Sequence, residues 1–338
     1  MARHWRRQLL VAACTSAAAP IAATLLTLPT PLLAQTGKRF RIGCLFLADD
    51  ATVKPLERAF LGGLRDLGYV VGRNLAVDLR YAGGDSGRLP ALADELIALK
   101  PDVLFGIGEV AAVIRKKTAT IPIVFPSSPD PVADGLVQSL RRPGANVTGI
   151  ASLPTELVAK HIELLTELVP KLARAALFTD PVSPDAARIE QAARTAAASK
   201  GLKLLVAGAG DAAGVGKAFA MLEKERVEGI VVVATGTMFR LRHDILREVM
   251  RLRLPSVSAL PPAGWAEAGG LLTYAESSVE SFRHAATYVD RIFRGAKPGD
   301  LPVEHPTRFE FVLNMKAAQA LGLKIPQSIL VRADRVIE

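Results

Sequence analysis

From Arg41 onward, short runs of consecutive apolar residues alternate with stretches whose apolar positions recur at helical spacing. "RIGCLFL" (41–47) reads as a strand, "PLERAFLGGLRDL" (55–67) as a helix, "LAVDLRY" (75–81) as a strand and 88–99 as a helix. "DVLFG" (102–106), a helix over 110–118, "IPIVF" (121–125) and a helix over 132–140 continue the pattern. After "NVTGI" (146–150) a second series begins. A helix over 155–169 carries Leu157, Leu164, Leu165 and Leu168 on one face and stops at Pro170. It is followed by "RAALF", a helix over 184–198, "KLLVA", a helix over 215–225, "GIVVVA", a helix over 240–251, "PSVSA" and "GGLLTY". Unbroken Val, Ile and Leu runs separated by helices describe parallel strands buried on both faces.

The βα alternation therefore runs twice, and α/β architecture with two doubly wound parallel-sheet lobes is expected. The last quarter returns to an amphipathic helix ("SVESFRHAATYVDRIFRG", 278–295), a Gly/Pro-rich crossover, the strand "RFEFVLN" and a short helix over 315–320. That order passes the chain back between lobes and makes a hinge of several strands. The expected division is a first lobe of 40–151 with about 276–305, and a second of 152–275 with about 306–338.

The first forty residues are different. Arg3, Arg6 and Arg7 give a basic start, no acid precedes Asp49, and Leu9 to Leu33 is apolar or small with prolines at 20, 29 and 31. This is the grammar of an export signal over 1–34, with cleavage expected near Ala34. The prolines argue against a retained span, so no membrane span is expected in the mature chain and its destination is the periplasm. "WRRQLL" fits a twin-arginine leader as well as a general secretory one. "VAAC", ending at Cys14, resembles a lipoprotein box but ranks second, because only Gln8 to Ala13 would precede it as an apolar core.

The 42 basic and 33 acidic residues leave a modest excess once the three leader arginines are removed. That excess forms no basic stripe with interleaved aromatics, which excludes a nucleic-acid-binding reading. Cys44 has no partner after leader removal and reads as a small buried hydrophobe. No HExxH, Walker A, GxSxG or CxxC pattern occurs, the five histidines are scattered, and "GAGDAAG" (208–214) has the wrong spacing for a dinucleotide loop. No enzyme, metal or cofactor is expected. His161, His243 and His284 fall on helices away from strand ends, as surface or internally satisfied residues.

Ligands of open α/β sheets bind beyond the carboxyl ends of strands. Those ends offer Asp49; Gly106, Gly108 and Glu109; Ser127, Ser128 and Asp130; Asp180; Thr235, Gly236 and Thr237; and Tyr274. Several have plain structural readings too. Asp130-Pro131 is ordinary helix-capping chemistry, and Glu109 suits the first turn of a helix. Trp265, in "PPAGWAEAGG", either stacks on a ligand or covers a helix-sheet seam.

The blocks "IPIVFPSSPDPVADGLVQSLRRPGANVTGI", "EAGGLLTYAES" and "LPVEHPTRFEFVLNMKAAQALGLKIPQSILVRADRVI" resemble the ABC-transporter substrate-binding proteins of the tryptophan/tyrosine type. The likeness runs from about Arg41 to the C-terminus. It implies a type I periplasmic-binding-protein fold, with a small ligand trapped between two lobes and delivered to a permease whose ATPase partner hydrolyses ATP. Some relatives carry aromatic or other hydrophobic amino acids. Gly108-Glu109-Val110 and Thr235-Gly236-Thr237 depart from the usual family pattern at positions that should face the ligand.

On that reading Gly108, Ser127, Ser128 and Thr235 hold a carboxylate, and Glu109, Asp130 or Asp180 meets an ammonium. Tyr274 or Trp265 covers the apolar part, and the chain acts as a monomer. The alternative is an extracytoplasmic sensor that presents its bound solute to a receptor or regulator.

Overall fold

The computed structural model describes residues 38–338; the export signal expected over 1–34, with Cys14, lies outside the described residues. The chain opens with strand β1 (Phe40–Phe46), whose last five residues are buried. It continues through α1 (Asp50–Asp66), β2 (Leu75–Tyr81), α2 (Leu89–Ala98), β3 (Val103–Phe105), α3 (Gly108–Lys117), β4 (Ile123–Ser128) and β5 (Val147–Ala151). These strands form one sheet in the order β2-β1-β3-β4-β5, every pair parallel. Two apolar layers cover its faces: one gathers Ile42, Phe46, Phe60, Phe105 and Phe282, the other Leu45, Leu96, Leu104, Ile114 and Phe125. Cys44 is buried in the first layer, and burial pushes its thiol pKa far up.

The second series is α4 (Pro154–Leu168), β6 (Arg174–Thr179), α5 (Ala186–Ser199), β7 (Lys203–Gly208), α6 (Ala212–Lys224), β8 (Gly229–Val232), α7 (Gly236–Arg240), α8 (Arg242–Arg251), β9 (Ser256–Ser258) and β10 (Leu272–Glu276). Then come α9 (Ser278–Phe293), β11 (Phe309–Asn314), α10 (Met315–Leu321), α11 (Gln327–Arg332) and β12 (Arg335–Ile337). The second sheet runs β12-β11-β10-β9-β8-β6-β7. It is parallel except at β10-β11, where the strand returning from the other lobe enters antiparallel. Both sheets thus have the doubly wound order in which the first strand sits between the second and third.

Three details differ from the sequence expectation. Residues 132–140 form no helix: Asp130 accepts from the Ala133 N–H at 2.9 Å and starts a turn, but Gly135 adopts φ +66° and ends it at once. Leu136 and Val137 then drop into the first-lobe core. The helix expected over 240–251 is α8, but an unexpected single turn, α7, precedes it and the two meet at Leu241. The short edge strand β12 carries too little pattern in three residues to be read from sequence.

α9 explains the return of the chain. It packs on α1, and the approach is close enough that a Cβ at Gly63 would lie 2.7 Å from the Arg283 carbonyl and 2.9 Å from Ala286 Cβ. Tyr69 Oη donates to Asp290 at 2.8 Å, and Arg294 Nε donates to the same oxygen at 2.8 Å.

Because α9 belongs to the first sheet and its neighbours in sequence to the second, the chain crosses between lobes three times. Those crossings lie near Ser152-Leu153, near Ser277 and near His305–Arg308. Each pair of crossings is hydrogen-bonded. Leu153 N–H donates to Glu276 Oε1 at 2.6 Å, Ser277 N–H to Arg308 O at 3.0 Å, and Ala151 N–H to Glu304 O at 2.9 Å.

Gly63→Ala is expected to destabilise the fold by about 1–3 kcal/mol, since backbone rather than a movable side chain blocks the new methyl. Gly62→Ala, whose Cβ would meet only the Arg283 guanidinium at 3.7 Å, should be near neutral. Urea unfolding of the pair checks this; equal stabilities would mean that α1 and α9 are free to separate.

Candidate functional site

In a doubly wound sheet the connections on either side of the first strand leave in opposite directions, and a crevice opens where they part. Here that point lies between β1 and β3 in the first sheet and between β6 and β8 in the second. The loops at these two points carry Asp49 and Ile107 to Glu109 on one lobe, and Thr179, Asp180 and Thr235 on the other. Ser127 and Ser128 end β4, the strand beside β3, and Asp130 follows it.

On the first lobe, Asp49 is exposed and caps α1, accepting from the Thr52 N–H at 2.8 Å; that bond holds its carboxyl below the usual range. Gly108 lies against β4, where a Cβ would come 2.9 Å from Ser128 Oγ and 3.2 Å from Ser128 Cα. Ser128 is buried, and its hydroxyl donates to Asp134 Oδ2 at 3.2 Å. Ser127 is half-buried beside it at the end of the same strand. Glu109 reaches solvent, yet the surrounding protein desolvates its carboxyl enough to raise its pKa. Beside it Ile107 is 37% exposed, an apolar side chain next to the crevice that the sequence reading passed over.

On the second lobe, Asp180 is only 6% exposed. Its Oδ1 accepts from the Val182 N–H at 3.1 Å, and among the described residues no cation pairs with it. Thr179 beside it is buried, and its hydroxyl finds no hydrogen-bond partner among the described residues. Thr235 is half-buried and its hydroxyl accepts from the Met238 N–H at 3.1 Å, capping the single turn of α7. Tyr274 is half-buried, edge-on to His161 and stacked on Phe309 with ring centroids 5.7 Å apart. It faces α4 in a seam of aromatic rings.

Trp265, expected either to stack on a ligand or to cover a seam, does not face the crevice. With 0% exposure it is packed in the second core and offers no surface to a solute, so it is the seam-covering residue.

The two lobes meet where the loop after β4 approaches the loop after β6. Arg188, in the first turn of α5, pairs with Asp130 of the first lobe and with Asp185 of its own. Asp130 therefore both caps its turn and bridges the lobes. Burial raises the pKa of Asp134 and of Asp185, and the neighbouring Asp134 charge raises Asp185 further. Arg188, Asp134 and Asp185 were missed from sequence, although a signal existed: "DPVAD" at 130–134 and "DPVSPD" at 180–185 are the same turn written once per lobe.

Two sheets with crevices at matching points, joined by three crossings, are the frame of a two-lobed binding protein. The family model described as ABC transporter substrate binding protein matches residues 45–337. The chain belongs to that family. It is a family of solute-binding proteins rather than enzymes. A curated relative, the tyrosine-binding protein of Clostridioides difficile (strain R20291), is 31% identical over 135 residues. That match covers 40% of this chain and 39% of the relative's length.

Among solved structures, a conserved domain protein from Vibrio cholerae superposes with a TM-score of 0.80 at 28% identity, covering 88% of this chain and all of that one. The ABC domain in complex with L-Trp from Streptococcus pneumoniae superposes with a TM-score of 0.80 at 22% identity, over 89% of this chain and all of that one. The fold is of the type I periplasmic-binding-protein kind. No helix among the described residues is long and apolar enough to cross a membrane.

At the hinge of this substrate-binding protein two titrating groups fasten β10 to α4. His161 is buried and its Nε2 lies 2.6 Å from the Tyr274 carbonyl; a carbonyl only accepts, so Nε2 carries the proton. Burial moves its pKa from 6.5 down to about 4. Burial, aided by the neighbouring Glu156 charge and opposed by the Leu153 N–H, moves Glu276 from 4.5 up to about 7.

The signs are opposite. Folding binds a proton at Glu276 between pH 4.5 and 7, so stability falls as pH rises through that window. Folding expels one at His161 between pH 6.5 and 4, so stability falls as pH drops through that one. The two slopes oppose each other wherever the windows overlap. Glu276→Gln keeps an acceptor for Leu153 and is expected to unmask the His161 slope below pH 6.5. At pH 8 it should exceed the original protein by on the order of 2 kcal/mol. Urea unfolding across pH 4.5 to 8 measures both; identical profiles for the two proteins would move the titration away from Glu276.

Proposed function

We propose that this chain is an exported solute receptor of an ABC importer, working as a monomer outside the cytoplasm. It captures a small amino acid, an aromatic one foremost, between its lobes and presents the closed form to a permease whose ATPase partner supplies the energy. The observation that carries this reading is Asp180. A carboxylate with 6% exposure and one backbone hydrogen bond is costly to bury without a cation, and it sits at the strand end where ligands of this fold bind. An ammonium group supplies the missing charge.

The first lobe complements it. The Ser127 hydroxyl and the backbone of the Gly108 loop suit a carboxylate, and the exposed side chain of Ile107 suits an apolar one. Glu109 is the second carboxylate within reach of the crevice. Asp49 and Thr235 act as helix caps first, Ser128 and Asp130 hold the loop after β4, and Tyr274 stiffens the second lobe behind the crevice. A chain related in part to a tyrosine-binding protein supports the aromatic choice. The leader over 1–34 supports export, with Cys14 lipidation as the secondary form.

Ligand capture raises the melting temperature by mass action, worth about 2.7 kcal/mol at a hundredfold excess over Kd. L-Tryptophan and L-tyrosine are expected to shift it in a saturable way. Indole-3-propionate, which keeps the ring and carboxylate but lacks the ammonium, should shift it far less. Asp180→Asn should weaken the amino acids at least tenfold while leaving the indole acid unchanged. No shift with any amino acid would overturn the reading, and an equal loss for both ligand types would remove Asp180 from the ammonium role.

A further inference from the structure

Outside the three crossings, the described residues contain one salt bridge between the lobes and no other side-chain hydrogen bond between them: Arg188 with Asp130. The way it is built breaks two local rules. Asp185 occupies the N-cap position of α5 yet makes no capping bond, because its carboxylate holds Arg188 instead. Arg188 itself stands in the first turn of α5, where the helix dipole disfavours a cation. Neither choice helps the helix. Both make sense if the guanidinium is being aimed at Asp130.

We propose that Arg188 is the strap that closes this binding protein, carried on the second lobe by Asp185 and fastened to Asp130 of the first lobe only when the lobes meet. Arg188 and Asp185 lie three residues apart on the same element, so they travel together when the lobes separate. Asp130 is tied to its own turn through the Ala133 N–H and stays with the first lobe. The two faces also carry a built-in repulsion. Asp130 and Asp134 on one side meet Asp185 on the other, and Asp134 acts on Asp185 across the gap.

Three carboxylates with one guanidinium leave closure dependent on that one cation. The geometry of the two Asp-Pro-Val turns supports this division of labour. Each turn is closed by its own aspartate, through Ala133 N–H in the first and Val182 N–H in the second. Their remaining oxygens then differ: that of Asp130 receives the strap, and that of Asp180 stays free of any cation among the described residues. Closure by the strap therefore does not compete with the ammonium site proposed above.

The test measures lobe separation directly, by double electron–electron resonance between nitroxides on Lys116→Cys and Lys224→Cys, exposed sites on opposite lobes, in a Cys14→Ser background; Cys44 is buried and does not label. Without ligand, Arg188→Ala is expected to lower the closed-to-open ratio two- to five-fold, the range of a partly exposed ion pair. Arg188→Glu should lower it further, and the charge swap of Arg188→Asp with Asp130→Arg should restore part of it.

Arg188→Ala should also weaken L-tryptophan by the same factor, because the ligand must then supply the closure energy. The proposal is overturned if the distance distribution of Arg188→Ala matches that of the original protein, or if Asp130→Asn opens the protein while Arg188→Ala does not. The tryptophan arm rests on the solute-capture reading and the ligand-free arm does not. A strap effect without any tryptophan response thus condemns the solute and spares the strap.

Discussion

The structure depends on the hydrogen bonding among its three interlobe crossings. Leu153 to Glu276, Ser277 to Arg308 and Ala151 to Glu304 tie each crossing to the other two. A single crossing would let the lobes rotate about several bonds, whereas three cross-linked ones leave chiefly a bend of the bundle as a whole. That restriction is what allows a rim contact as small as Arg188 with Asp130 to matter. With orientation already fixed by the hinge, one ion pair acts on a narrow range of lobe positions and does not have to create the encounter.

The hinge also explains the order of the sequence. α9 packs against α1, more than two hundred residues earlier, so the first lobe is incomplete until the second has been made. The antiparallel entry of β11 follows from the same detour, because the chain arrives from the hinge end and runs away from it.

Much of this was legible in the sequence because buried parallel strands leave a strong trace. Runs such as "AALF" (175–178) and "GIVVVA" have no polar residue to place on either face, and helices with one apolar stripe fall between them. What failed was local. The stretch 132–140 has a good cap and apolar residues, but Gly135 in the left-handed region ends the turn, and pattern alone does not register a single glycine's torsion. Trp265 shows the limit on the other side. Its position near a strand suited both a ligand and a core, and only the packing around it decides for the core. The strand-end residues could be enumerated from topology, but not ranked.

Ranking them needs their partners, which sequence does not show. Asp49, Asp130 and Asp180 are the same residue type at the same kind of place, and each accepts a backbone N–H from its own turn. Asp49 ends there, exposed to water. Asp130 adds a guanidinium from the opposite lobe. Asp180 is as buried as a core residue and, among the described residues, adds no cation. Water surrounds the first and an arginine meets the second, whereas among the described residues no cation meets the third, and a buried carboxylate is costly without one. A binding protein has reason to keep such a carboxylate unmet by its own side chains: an internal lysine there would hold the charge permanently and remove the gain that draws a solute in. On the reading proposed above, a carboxylate that no cation pairs with among the described residues would supply the difference in affinity that a two-lobed receptor converts into closure.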